Sequence, residues 1–278
     1  MWSSEVISEE VGSGEVREGK AGSSSVRSAP AAQKATVSIV SHGHAKYVRA
    51  LLRNLDETAA ARIDKVIVTR NVPEEESFAD LRLRFPLEII ENPRPRGYGA
   101  NHNAAFRRSV SPWFLVLNPD VRLEPTALAT LLDQARVTSG VVAPRIQEPG
   151  KAGPEPRRKL LTPFEIMGRW FEPTYDAPRA HWVAGMFMLF RASAFSAVRG
   201  FDEKFYMYVE DADICTRLRL AGWDVQVNEA VRVIHDAQRA SSSQWRPLGW
   251  HWASLLRWWV SPAFWRALVR RRPARQEV

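Results

Sequence analysis

The sequence predicts an α/β fold with a mostly parallel central sheet flanked by helices. Three observations predict it. Short apolar runs of strand length alternate with segments whose apolar residues recur at helical spacing. Several of those runs are apolar at successive positions, as strands covered on both faces are. Polar loops follow the carboxyl ends of these runs, where open α/β sheets bind ligands.

Order begins at "ATVSIVSHGHAKYVRALLRNL", where Val37, Ile39 and Val40 form a buried strand. Ser41 to His44 make a loop, and Tyr47, Val48, Leu51, Leu52 and Leu55 then share a helix face. "DKVIVTRNVP" is a second strand ending in a polar loop with a proline stop, and "LEIIENP" is a third. "GYGANHNAAFRRSV" is a Gly-rich turn that opens a helix. "PWFLVLNPDV" is a fourth strand, "EPTALATLLDQA" a helix and "GVVAPRI" a fifth strand. Beyond it, "KAGPEPRRKLLTP" reads as a loop rich in proline and arginine, and "HWVAGMFMLFRASAFSAV" as a strand and a helix. "GFDEKFYMYVEDADICTRLRLAGW" reads as a loop and a helix stopping at Gly222, and "DVQVNEAVRVIHD" as late strands.

The 278 residues suffice for one sizeable domain with tails, and 45% hydrophobic with 25% charged residues is ordinary globular composition. We divide the chain into a tail over 1–34, a domain over 35–243 and a Trp/Arg-rich segment over 244–278. The tail is rich in Ser, Gly, Glu and Ala and is expected to be disordered. A net charge of +8 points to an anionic partner: nucleic acid, a membrane surface or a phosphorylated small molecule. The single cysteine, Cys215, rules out an internal disulfide framework, favours a reducing compartment and reads as a buried small hydrophobe. No signal-peptide core or membrane-span-length apolar run is seen, so we expect a cytoplasmic protein.

Three stretches carry chemistry. In "LVLNPDVRL", a strand runs into Asn118, Pro119 and Asp120; Pro119 stiffens the exit, so Asp120 stands on a rigid elbow. A carboxylate there suits a divalent cation that also holds phosphates, although a simple helix-capping turn is the alternative. In "RPRGYGANHNAAF", Gly97 and Gly99 permit close approach, and Asn101 and Asn103 add amide donors near a helix start that can face an anion. In "FYMYVEDADICTRLRLAGW", Glu210, Asp211 and Asp213 crowd a helix N-terminus after an aromatic loop. Capping explains one acid; a carboxylate at a pocket mouth can take a proton from an attacking hydroxyl. His235, closing a late apolar strand, is a candidate second metal ligand beside Asp120.

In their order along the chain, VSIV, KVIVTRN, RGYGANHNAA, LNPDV, HWVAGMFMLFR, GFDEKFYMYVEDADICTRLRLAGW and VIH resemble the family 2 glycosyltransferases of GT-A fold, in particular their bacterial rhamnosyltransferase-like branch. The likeness covers about residues 36 to 243. It implies an inverting, metal-dependent transfer of a hexosyl or deoxyhexosyl unit, rhamnose being one candidate, from a nucleotide-diphosphate sugar to a saccharide or lipid-linked saccharide in cell-surface polysaccharide synthesis. Asn118-Pro119-Asp120 stands at the family's Asp-x-Asp motif, with Asn in place of the first acid, which leaves Asp120 most of the contact with Mg²⁺ or Mn²⁺. Glu210-Asp211 matches the Glu-Asp catalytic element with Asp211 as base, and Asp213 joins the catalytic set. His235 matches a late histidine at the metal or diphosphate. The likeness puts Ser41, Asn71, Gly97, Gly99, Asn101, Asn103, Asn118 and Asp120 on the donor side and Trp182, Gly185 and Glu210 on the acceptor side. "SHGH" stands where the family commonly has Tyr-Asn, and "TRNVPEE" lacks the common Asp after the second strand.

The terminal segment interleaves Trp245, Trp250, Trp252, Trp258, Trp259 and Trp265 with Arg246, Arg257, Arg266 and Arg270 to Arg272. It reads as an interfacial amphipathic element at the inner face of the cytoplasmic membrane, with a helical pair docked on the domain as the alternative. A non-catalytic GT-A-like scaffold and a nucleic-acid-binding protein are the competing functional readings; no nucleic-acid motif supports the latter, and we expect no nucleic-acid partner.

Overall fold

A computed structural model describes residues 32–172, 175–236 and 245–270. The expected disordered tail lies, apart from residues 32–34, outside the described residues, as do Arg271 and Arg272. The chain runs through β1 (Ala35–Ser41), α1 (Ala45–Ala59), β2 (Ile63–Arg70), β3 (Leu87–Glu91), α2 (Tyr98–Phe106), β4 (Trp113–Leu117) and β5 (Val121–Leu123). There follow α3 (Ala127–Asp133), β6 (Ser139–Gln147), α4 (Pro163–Phe171), β7 (Phe187–Arg191), α5 (Ala192–Ala197), α6 (Glu210–Leu220), β8 (Asp224–His235), α7 (Trp245–Trp259) and α8 (Pro262–Arg270).

The eight strands form one sheet in the order β3-β2-β1-β4-β7-β6-β8-β5. The β3-β2, β2-β1, β1-β4 and β6-β8 pairings are parallel, whereas β4-β7, β7-β6 and β8-β5 are antiparallel. Both faces are covered, which explains the uninterrupted apolar runs. Along β4, Trp113, Leu115 and Leu117 enter one core cluster with α1 and α3, while Phe114 and Val116 enter a second with Phe195, Phe201, Ile214 and Trp258.

Three elements differ from the sequence reading. β5 is a three-residue strand inside the stretch read as an elbow, and its pairing with β8 sets Val121 opposite His235. α4 lies at the end of a stretch read as loop; Thr162 caps it by accepting the Glu165 N–H at 3.0 Å, and Pro163 occupies its first turn. The terminal helices α7 and α8 dock on the domain, burying Leu255, Trp258, Phe264 and Ala267 in the second core cluster. The Trp258 and Trp259 indole N–H groups both donate to the Leu161 carbonyl, at 2.9 and 3.2 Å. Cys215 is fully buried in that cluster, and burial pushes its thiol far above the usual range, as befits a packing residue.

Candidate active site

The turn after β4 and the start of α6 meet across one tyrosine. The Tyr98 hydroxyl donates to the Gly185 carbonyl at 2.6 Å and lies 3.3 Å from Asn118 Oδ1. The Gly185 N–H in turn donates to Asp211 Oδ2 at 3.0 Å. The Asn118 N–H, donating to the Met186 carbonyl at 2.9 Å, locks the same turn to the loop entering β7. Burial raises the Tyr98 phenol well above its usual range, and the charges of Glu210, Asp211 and Asp120 push the same way. A hydrogen-bonded path therefore links the turn after β4 to the start of α6.

Asp211 is gripped at both oxygens, by the Gly185 N–H and by its neighbour Ala212 at 2.8 Å. Burial raises its pKa, opposed by these N–H groups and by the charge of Arg158. Glu210 is more deeply buried, and its Oε2 has no hydrogen-bond partner. Burial and then the Asp211 charge push its carboxyl up to about 8. The residues just before it, Tyr208 and Val209, both have φ near 72°, a left-handed conformation rare for a tyrosine and costly for a β-branched valine. α7 braces them: Trp250 meets the Tyr206 ring at a tilt with centroids 4.9 Å apart, His251 meets the Tyr208 ring at 5.2 Å, and the Ser254 hydroxyl donates to the Met207 carbonyl at 2.9 Å.

Asp213 does not accompany Asp211. Two positions apart on a helix, the side chains diverge. Asp213 pairs with Arg217 Nε and Nη2, both at 2.7 Å, and Arg217 also holds the Val198 and Gly200 carbonyls. This geometry makes Asp213 an anchor of α6 and corrects its inclusion among the catalytic acids.

Asp120 and His235 do come together, with His235 Nε2 3.3 Å from Asp120 Oδ2 and its Nδ1 3.8 Å from Glu148 Oε1. Burial opposes charging of His235, but the Asp120 hydrogen bond and the Asp120, Glu148 and Glu155 charges outweigh it, and its pKa is raised. Asp120 Oδ1 and His235 Nδ1 are buried without a hydrogen-bond partner. The open Asp120 Oδ1 is a hard oxygen of the kind Mg²⁺ or Mn²⁺ takes, whereas the open His235 Nδ1 is the ring nitrogen turned towards Glu148. Among the described residues no group of three His, Cys, Asp or Glu side chains forms a ready metal cage.

The expected donor side is largely engaged by the protein itself. The Ser41 hydroxyl donates to both Glu74 oxygens at 2.6 and 2.8 Å, and the Gly43 N–H donates to Glu74 Oε1 at 2.6 Å. The Asn71 amide donates to the Arg96 carbonyl at 2.9 Å and accepts from the Arg96 N–H at 2.8 Å; Asn92 bridges Asn71 Oδ1 and Asn101 Oδ1 at 2.9 and 2.7 Å. Asn103 is buried against the Phe201 backbone and Glu203. A Cβ on Gly97 would come within 2.8 Å of the Tyr206 carbonyl, and one on Gly99 within 2.6 Å of Phe201 Cβ. The close approach these glycines permit is thus of α2 onto the 201–206 loop, so Gly97, Gly99 and Asn103 serve to position the acid-bearing loop.

On the other side, Trp182 lies under Arg158, whose guanidinium is 4.9 Å from the ring centroid, and the Trp182 indole N–H donates to the Lys159 carbonyl at 2.7 Å. A cavity of about 260 Å³ opens beside it, lined by Lys151, Arg157, Arg158, Lys159, Glu172 and Tyr175 among others. Sequence reasoning missed Tyr98, Glu148 and His251. A tyrosine between Gly97 and Gly99 was the one signal present for the first.

Comparison with known proteins points to one family and fold. The family described as "Glycosyl transferase family 2" matches residues 36–199. The N-acetylglucosaminyl-diphospho-decaprenol L-rhamnosyltransferase of Mycobacterium tuberculosis is 32% identical over 186 residues, covering 56% of this chain and 60% of that protein. This chain thus spans about 60% of the length of that relative. The rhamnosyltransferase WbbL of Escherichia coli is 29% identical over 241 residues, covering 79% of this chain and 90% of that protein. Among solved structures, the mannosyltransferase PcManGT from Pyrobaculum calidifontis, in complex with GDP-Man and Mn²⁺, superposes with a TM-score of 0.58 at 16% identity, covering 85% of this chain and 74% of that one.

Proposed function

Because the chain belongs to glycosyl transferase family 2 and has the GT-A fold, we propose that it moves a sugar, rhamnose first among candidates, from a nucleotide-diphosphate sugar to an acceptor hydroxyl with inversion. The acceptor in this reading is a saccharide or lipid-linked saccharide of cell-surface polysaccharide synthesis, met at the inner face of the cytoplasmic membrane. In this reading the meeting is a peripheral one; no described helix is long and apolar enough to cross a membrane. The names of the two rhamnosyltransferase relatives support the choice of sugar, and one of them names a lipid-diphosphate acceptor.

The observation that carries the reading is the hydrogen-bonded path from Asn118 through Tyr98 and Gly185 to Asp211. Asp211 is fixed with both oxygens oriented and takes the proton of the acceptor hydroxyl. The acceptor oxygen bonds to the anomeric carbon as the bond from that carbon to the diphosphate oxygen breaks. The electron pair leaves with the nucleoside diphosphate, and attack from the opposite face inverts the centre. Buried Glu210, with its carboxyl pushed up to about 8, keeps a second full negative charge away from Asp211 near neutral pH. Asp120 and His235 would hold Mg²⁺ or Mn²⁺, which when bound offsets charge on the departing diphosphate.

The test is transfer by the full chain from a panel of nucleotide-diphosphate sugars, with Mn²⁺, to a short-chain lipid-diphosphate N-acetylglucosamine. One donor should be consumed, with the opposite anomeric configuration in the product. Consumption of none, or retained configuration, overturns the proposal.

A further inference from the structure

Nine of the fourteen large apolar side chains that are exposed among the described residues lie on α4, on α7 and α8, or in the turn between those two. On α4, Phe164, Met167 and Phe171 recur at helical spacing and form one outward stripe, with both phenylalanines at least 80% exposed. The opposite side of α4 turns Ile166 into the second core cluster, so the stripe is not a core face left open by chance. On α7, Trp252, Leu256 and the following Val260 form a second outward stripe, and on α8 Trp265 and Val269 form a third. Arg257, Arg266 and Arg270 are exposed between them. The Leu161 carbonyl, held by Trp258 and Trp259, fixes the chain entering α4 to the end of α7, so the stripes belong to one joined group of helices.

We propose that α4, α7 and α8 together form a docking face for an anionic lipid bilayer, with α4 as the acceptor-side contact. This rests on the lipid-linked acceptor of the proposed function and deepens it. The face has the chemistry of an interfacial surface: tryptophan, phenylalanine and aliphatic groups to enter the headgroup boundary, and arginines beside them to meet lipid phosphates. Its charge agrees with a chain of net +8. α4 also lines the cavity that holds Arg158 and Lys159, through Glu165 and Gly168. Arg158 in turn acts electrostatically on Asp211. Docking through α4 therefore brings the membrane boundary to the acceptor side of the catalytic carboxylate, and a lipid-anchored saccharide reaches Asp211 without leaving its bilayer.

The test is flotation of the full chain with vesicles of phosphatidylcholine alone and of phosphatidylcholine with phosphatidylglycerol. The wild-type chain should float with the anionic vesicles, and raised salt should weaken the association. Phe164→Ser/Met167→Ser/Phe171→Ser should weaken it by about tenfold or more, since three exposed apolar groups leave the boundary. The same variant should keep wild-type thermal unfolding and wild-type transfer to an acceptor without a lipid chain. Flotation of the triple variant equal to wild type overturns the role of α4. Equal binding to neutral vesicles overturns the role of the arginines. A wild-type chain that ignores vesicles and self-associates in solution through these helices overturns the bilayer as occupant. Transfer to the lipid-free acceptor reports on the proposed reaction separately, so either idea can fail without the other.

Discussion

The Gly185 N–H donates to Asp211 Oδ2 at 3.0 Å, so the second residue of α6 is aimed by a residue from the loop entering β7. An aimed carboxylate is what proton removal from an acceptor requires. Asp211→Asn should lower turnover by roughly two to four orders of magnitude. The donor-induced thermal shift should persist. Near-normal turnover would remove Asp211 from its role.

The Tyr98 hydroxyl ties Gly185 to Asn118. Tyr98→Phe keeps the ring and its edge contact with His102 but leaves the Gly185 carbonyl without this donor. We expect a loss of about 1 kcal/mol in stability and about a tenfold fall in kcat, because the turn after β4 and the loop entering β7 lose a shared anchor. Chemical denaturation and steady-state kinetics read the two effects, and an unchanged kcat would make the bridge purely structural.

Glu210 supplies a pH signature. Its carboxyl rises from an ordinary value of 4.5 to about 8 on folding. The folded state then holds a proton that the unfolded chain releases, so stability is greatest below the unfolded value and falls as pH climbs towards about 8. Glu210→Gln removes that dependence. Its stability relative to wild type should improve from about pH 5 to about pH 8 and level off above, measured by denaturant unfolding across the range. A constant difference would contradict the burial of an ionisable Glu210.

Asp213 and Arg217 form a mostly buried ion pair. Asp213→Ala leaves the guanidinium without its carboxylate, at a cost of about 3 kcal/mol, while the donor-induced thermal shift should survive. Loss of donor binding in a variant that unfolds like wild type would return Asp213 to the site.

Asp120→Asn should abolish the Mn²⁺-dependent part of donor-induced thermal stabilisation, and a chelator should do the same to wild type. His235→Ala should weaken it. A donor shift indifferent to the metal and to both substitutions would exclude this pair as its holder.

Much of the fold was legible because covered strands leave apolar runs such as 113–117, and because α6 opens on acids and is followed by Gly222, whose φ is +90°. Strand direction was not legible: nothing in "FMLFR" says that β7 enters antiparallel between β4 and β6. α4 left a trace, since Thr162 followed three residues later by Glu165 is a capping pattern, but its nine residues were masked by the proline and arginine around them. The site divided in the same way. Asp120, His235, Glu210 and Asp211 stood out because acids and a histidine at element ends need a reason. Asn71, Asn101 and Asn103 looked like free amides because their partners, Asn92, Arg96 and Phe201, become neighbours only through the folded chain.

Trp250, His251 and Ser254 clamp the segment whose backbone turns left-handed at Tyr208 and Val209. α7 is therefore a buttress as well as an appendage. Trimming the chain at residue 244 to obtain a better-behaved protein would withdraw the props from beneath Glu210 and Asp211. Such a shortened protein could keep its sheet and still lose its chemistry, so its inactivity would say nothing about lipid.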